Sequence, residues 1–269
     1  MYDKKVSRAE PGLIFMILDD SGSMSDALAG TSDAKFKWVE RYVGIIWKEL
    51  VLRSTEVKGD TVVVKPRYYT HTILYGSQAN VWGNGIMDIQ DTVEKYTQSG
   101  NSLGLGGRLG GTDAQNAFQQ AYAILQQAAA DPCFKNSFPP MVFHLTDGES
   151  QSDAQAIAQQ VKQLATIDGQ VLSVNAYIGT QTNLGYKGPE DFPGYVSTSD
   201  VGSNSDNLRL FEMSSEMPEC MHHNLVDDGI FPQLRPGSRL FFDVRTKEML
   251  KHVIQVVGSI GSRADRQAR

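Results

Sequence analysis

Cysteine is nearly absent. Cys133 and Cys220 are the only two in 269 residues, and they form no CxxC pair. Two thiols in a chain of this length do not build a disulfide framework, so both are expected to stay reduced and the fold must rest on its core. Long apolar runs are missing as well. The run at 13–18 stops at Asp19, and nothing approaches the ~20 apolar residues of a membrane span. The charged residues at 1–12 are not followed by a signal-peptide pattern. Dense Lys/Arg runs are absent except for the mixed tail at 263–269, and the formal net charge is −6. An acidic globule repels phosphate backbones, so nucleic acid is not the expected partner. These absences point to a cytoplasmic protein without a membrane span.

What the chain does have is a 41% hydrophobic content, enough for one large α/β domain with a substantial core. Residues 13–18 are continuously apolar, the pattern of a strand buried on both faces. A helix is expected over 34–52, where Phe36, Val39, Val43, Ile46, Trp47 and Leu50 fall at helical spacing. The β-prone stretch 61–76 is interrupted by Pro66, and 79–82 can pair with it across a turn. Helices are expected over 86–96, 113–130, 153–166, 208–214 and 246–260, with strands at 141–146, 171–178 and 239–244. Residues 180–206 read as a long loop, rich in Gly, Ser, Asn, Thr and Pro, and 215–238 as largely irregular. The expected division is an extension at 1–10, one domain at 11–260 and a polar tail at 261–269. Strands alternating with helices imply a doubly wound, mostly parallel central sheet with helices on both faces, a Rossmann-like arrangement.

In such sheets ligands sit beyond the carboxyl ends of the strands, where the strand order reverses. Two strand ends carry oxygen there. "LDDSGS" places Asp19, Ser21 and Ser23 at alternate positions of a turn, with Gly22 expected to permit the turn by lacking a Cβ. "HLTDG" ends a later strand in Asp147, and "GGRLGGTD" brings Thr112 to the start of a helix. Carboxylate and hydroxyl oxygens are hard ligands of the kind Mg²⁺ takes at about 2.0–2.1 Å in near-octahedral geometry. Each motif alone has a plainer reading: a turn with local hydrogen bonds, a helix N-cap at Thr112, an Asp-Gly turn. Their coincidence at one sheet edge is what points to a metal.

These residues resemble the three-part metal-ion-dependent adhesion site of von Willebrand factor type A domains, and the resemblance covers about 11–260. It implies a doubly wound α/β sandwich and a Mg²⁺ site, with Mn²⁺ or Ca²⁺ as possible substitutes. Ser21, Ser23 and Thr112 would bind the ion directly, and Asp19 and Asp147 directly or through water. It further implies a non-catalytic module in which an acidic side chain of a partner protein completes the coordination. Intracellular relatives of this kind serve beside AAA-type ATPases or in stress and metal-resistance systems. The glycine-rich approach to Thr112, the 180–206 insertion and the 215–238 segment depart from the family pattern and bear on the partner.

Other chemistry has less behind it. A Mg²⁺-dependent phosphoryl-transfer enzyme is one alternative, but no nucleophile, lysine clamp or second acidic cluster accompanies the site. An RNA-binding member of the family is another, at odds with the net charge. Gly106–Thr112 lacks the lysine that a P-loop places before Thr112, and a dinucleotide fingerprint fails at Leu109. Cys220, His222 and His223 are not spaced for zinc. His144, inside an apolar strand, is expected to be a hydrogen-bonded core residue.

Overall fold

A computed structural model of the chain describes residues 1–148, 150, 152–179 and 185–259. The first strand, β1 (Gly12–Asp19), is buried at all eight positions. Helix α1 (Lys35–Arg53) follows, burying Val39, Val43, Ile46, Trp47 and Leu50 on one stripe. A small antiparallel hairpin, β2 (Thr55–Lys58) with β3 (Thr61–Val64), precedes β4 (Tyr68–Tyr75) and β5 (Ala79–Asp88). Helices α2 (Ile89–Gln98) and α3 (Ala114–Ala130) lead to β6 (Met141–Thr146). Then come α4 (Gln155–Gln163), the two-residue strands β7 (Ala165–Thr166) and β8 (Gly169–Gln170), and β9 (Leu172–Ile178). The chain continues through α5 (Thr198–Val201), α6 (Ser205–Met213) and α7 (Glu219–Asp227) to β10 (Phe241–Val244) and α8 (Lys247–Gln255).

Six strands form the central sheet in the order β10-β9-β6-β1-β4-β5. All neighbours are parallel except the edge pair β4–β5. Helix α1 packs with α2 and α8, while α3 packs with α4 and α4 with α6, which gives two helical layers around the sheet. The α/β, doubly wound architecture expected from the alternation of elements is therefore the one observed. The core is continuous across it: Phe15, Trp47, Tyr75, Phe118, Phe143 and Phe241 are all shut off from solvent. Burying one such side chain contributes roughly 1.5–3 kcal/mol.

The strand order fixes the site. From β1 the chain winds outward through β4 and β5, then returns to lay β6 on the other side of β1. The reversal lies between β1 and β6, so a crevice opens past their carboxyl ends. Asp19 ends β1, and Asp147 follows β6 directly.

Several elements differ from the sequence reading. Strand β5 runs to Asp88, past the expected 79–82, and α2 starts correspondingly later. Gly83 and Gly85 take positive φ inside β5, where their weak strand propensity hides the continuation. The region 215–238 is not simply irregular, since α7 occupies part of it and buries Met221 and Leu225. Residues 180–206 include α5, the start of α6 and a 3₁₀ turn at Pro189–Asp191, with 180–184 outside the described residues. The final helix ends at Gln255 and continues as a 3₁₀ turn to Ser259, and the tail at 261–269 lies outside the described residues. Residues 1–10 pack on the domain: Val6 is buried, and the backbone N–H groups of Asp3 and Lys4 donate to the Asp168 carboxylate at 3.0 Å each.

Candidate metal centre

Asp19 is the last residue of β1 and has no solvent exposure. Its Oδ1 accepts from the Ser21 backbone N–H (2.8 Å) and its Oδ2 from the Thr146 hydroxyl (2.6 Å). Burial raises its pKa to about 6, the Ser21 and Thr146 hydrogen bonds pull it down, and the charge of Asp147 raises it further. Such a carboxylate lacks a countercharge. Ser21 and Ser23 follow on a turn that becomes a 3₁₀ segment, Gly22–Ser25, and their hydroxyl oxygens lie 3.3 Å apart. Ser23 Oγ in turn donates to Asp147 Oδ1 at 2.9 Å.

Ser21, Ser23 and Asp147 thus present a chain of oxygens spaced 3.3 and 2.9 Å, with Asp19 beside it. Neighbouring ligands on an octahedron with ~2.1 Å bonds sit about 3.0 Å apart. The spacing and the donor chemistry both fit a small hard cation. Thr112, also buried, joins from a different direction. The loop before it is tied to the turn after β1: Gly22 N–H donates to Gly110 O (3.1 Å) and Leu109 N–H to Asp20 O (3.1 Å). On its other side, Asp113 N–H donates to Gly76 O (2.7 Å) and Ser77 N–H to Leu109 O (2.7 Å). Thr112 is brought to the same crevice by these backbone ties. Among the described residues its hydroxyl shares no hydrogen bond with the other four side chains. Asp113 takes the N-cap role that Thr112 alone would suggest, accepting from Asn116 N–H at 3.1 Å.

The expected role of Gly22 does not hold. Its φ is not positive, and an added Cβ would meet nothing nearer than Gly110 O at 3.9 Å. Glycine is needed elsewhere. Gly107 has φ +63°, and a Cβ there would strike the Ser25 hydroxyl. Gly148, just past Asp147, has φ +93°, with Tyr177 Cε2 2.5 Å from where a Cβ would stand.

Four further residues shape the site beyond the five proposed ligands. Asp20 accepts from the N–H groups of Gly106 and Gly107, both at 2.6 Å, and so clamps the glycine-rich loop. The doubled aspartate of "LDDSGS" is its one signal in the sequence. Glu40 secures the same loop earlier, accepting from Leu103 N–H (2.6 Å) and Gly104 N–H (3.0 Å). Thr146 orients Asp19, and Lys35 contacts Asp147. Nothing local distinguishes Lys35, because its partner is 112 positions away.

His144 and His222 are hydrogen-bonded within the fold. His144 is buried between Tyr75 OH (2.7 Å) and Asn175 Oδ1 (2.9 Å), and burial lowers its pKa to about 4. That matches the core role expected of it. His222 Nε2 is hydrogen-bonded to Leu234 O at 2.8 Å. Among the described residues, no three His, Cys, Asp or Glu side chains gather as a metal-binding group, so the zinc alternative at 220–223 finds no support. No described helix is long and apolar enough to cross a membrane.

No family model matches the sequence, and no curated protein matches it. Solved structures do match. Proximal thread matrix protein 1 from the mussel byssus aligns over 94% of this chain and 48% of its own, at 14% identity and a TM-score of 0.50. This chain therefore spans about half the length of that protein. BatB, a conserved hypothetical protein from Bacteroides thetaiotaomicron, aligns over 92% of this chain and 98% of its own, at 13% identity and a TM-score of 0.49. A von Willebrand factor type A structure from Catenulispora acidiphila aligns over 65% of this chain and 34% of its own, at 17% identity and a TM-score of 0.41. At these identities the likeness concerns the fold alone, and it rests on the byssus protein.

Proposed function

We propose that this chain is a non-catalytic protein-binding module that works through one Mg²⁺ held by Asp19, Ser21, Ser23, Thr112 and Asp147. The observation that carries this reading is the Ser21–Ser23–Asp147 run of oxygens beside a fully buried, undercompensated Asp19, at the point where the strand order reverses. A bound Mg²⁺ would supply an electrophilic position that an acidic side chain of a partner protein can fill. The chain's own residues supply the rest. Thr146 fixes the Asp19 carboxylate, and Asp20 and Glu40 hold the 102–111 loop as a rim around the crevice. Binding specificity would come from loops on the same face, over 25–32, 104–111 and 149–152, of which Glu149 and Gln151 lie outside the described residues.

Only two formal negative charges surround the proposed ion, so an anionic ligand is favoured over a neutral one. One carboxylate contact is too small for a stable complex, since specific interfaces bury roughly 1,200–2,000 Å². Metal removal should therefore weaken every partner, and loop changes should alter which partner binds. Binding without turnover is part of this proposal. Following the family resemblance, we extend the expected cytoplasmic setting, beside an ATPase or within a stress system, to this chain. The test is partner capture in Mg²⁺ and in EDTA, for the wild type and an Asp19→Ala/Ser21→Ala double variant. Capture that depends on Mg²⁺ and vanishes in the variant is expected. Mg²⁺-dependent capture by the double variant would show the site assignment to be wrong.

A further inference from the structure

Lys35 is the first residue of α1 and only 3% exposed. Both facts are unfavourable for a lysine. A helix N-terminus carries positive partial charge, and the first turn of α1 contains no acidic residue to offset it. A buried ammonium also loses its hydration and must find partners. Lys35 finds them inside the candidate metal centre: Nζ lies 2.9 Å from Asp147 Oδ2 and 3.3 Å from Ser23 O. The two Asp147 oxygens are thereby divided. Oδ2 faces the ammonium, and Oδ1 faces Ser23 Oγ. The side chains of this pair are 4% and 3% exposed, so solvent screens the interaction little. The site thus brings one lysine side chain to two carboxylates.

We propose that Lys35 is a built-in counter-cation with two effects on the metal centre. It holds Asp147 and the Ser23 turn in place when no metal is bound, with one Asp147 oxygen left for a ligand role. It also repels an incoming dication at close range and so keeps divalent affinity low, leaving the site readily loaded and emptied. This inference rests on the metal reading of the same site.

The experiment is calorimetric titration of the metal-free wild type, Lys35→Met and Lys35→Arg with Mn²⁺, together with thermal unfolding of each in EDTA and in Mn²⁺. Met keeps the length and apolar stem but removes the charge, whereas Arg keeps the charge. The expected result is that K35M binds Mn²⁺ at least tenfold more tightly than the wild type. It should also melt at lower temperature in EDTA and gain more from added metal. K35R should stay within about threefold of the wild-type affinity. Wild-type binding with K35M no tighter would overturn the counter-cation role and leave the metal site standing. Binding by K35M alone would support the role of Lys35 and overturn the metal reading of the natural protein. Binding by neither would overturn both. If K35M does not fold, ¹⁵N NMR of lysine-labelled wild type gives the second readout. The Lys35 ammonium resonance should shift on adding Mg²⁺, and a resonance that stays fixed overturns the inference.

Discussion

Two buried ion pairs lie at carboxyl ends of strands in this sheet, and they differ in one respect. At the end of β10, Asp243 faces Arg245 at 2.5 Å from Oδ1 to Nε, and its Oδ2 also accepts from Arg245 Nη2 (2.6 Å) and Asn207 Nδ2 (3.1 Å). That is one carboxylate for one guanidinium, beside a cavity of about 700 Å³ lined by Tyr186 and Tyr195. At the ends of β1 and β6, Asp147 faces Lys35, but Asp19 stands beside them with only neutral donors. The first pair balances and the second site lacks one positive charge. Burial alone is common to both regions; the uncancelled carboxylate and convergent hydroxyls at Asp19 are what the proposed metal position adds.

The largest effect should come from breaking the balanced pair. Asp243→Ala leaves Arg245 buried without its partner and should cost about 3–5 kcal/mol in urea denaturation. It should leave Mn²⁺ affinity unchanged. A cost below about 1 kcal/mol, or a lost metal site, would break the contrast between the two regions.

A somewhat smaller effect should come from Asp19. Its folded-state pKa is raised to about 6, above the ordinary carboxylate value. The metal-free folded state therefore binds more protons than the unfolded chain between about pH 4 and pH 6. The contribution of this group to stability should fall as pH rises through that window, by roughly 2–3 kcal/mol. Asp19→Asn should remove this fall, be at least as stable as the wild type near neutral pH in EDTA, and bind no Mn²⁺. Denaturation of both proteins in EDTA across the window checks the sign. An unchanged pH slope in the variant would mean that Asp19 is not the undercompensated group.

Smaller again is Gly107→Ala in the rim loop. Positive φ and the clash with the Ser25 hydroxyl should cost about 1–2 kcal/mol. Partner affinity should drop more than metal affinity, because Asp20 clamps this loop through the Gly106 and Gly107 N–H groups, outside the proposed ligand set. Equal losses in both would place the loop within the metal site itself.

One side of this contrast is legible in the amino-acid sequence and the other is not. The continuous apolar run ending in Asp19 marks β1, "MVFHLT" marks β6 over the residues it occupies in the fold, and the alternation of elements implies the doubly wound sheet. The proposed ligands are readable only as a set: each motif alone has a plainer use, and their coincidence at strand ends singles them out. The countercharges are not readable. Lys35 looks like any lysine at the start of a helix, and only the fold brings it to Asp147. Asp243 and Arg245 are two positions apart at the end of one strand, but their burial depends on α6 and on Tyr186. Of the small hairpin, β3 falls within the β-prone stretch 61–76, whereas β2 is hidden: Val57 is 73% exposed, so no burial pattern marks it. Local pattern reveals which groups are present, and charge balance appears only once distant segments meet.

The most direct measurement is anomalous scattering from a crystal of the wild-type protein soaked in Mn²⁺. One strong peak is expected within bonding distance of the Ser21 and Ser23 hydroxyls and beside Asp147 Oδ1, with none at the balanced Asp243–Arg245 pair. A map with no peak among Asp19, Ser21, Ser23, Thr112 and Asp147, or with its peak at Asp243, would contradict it.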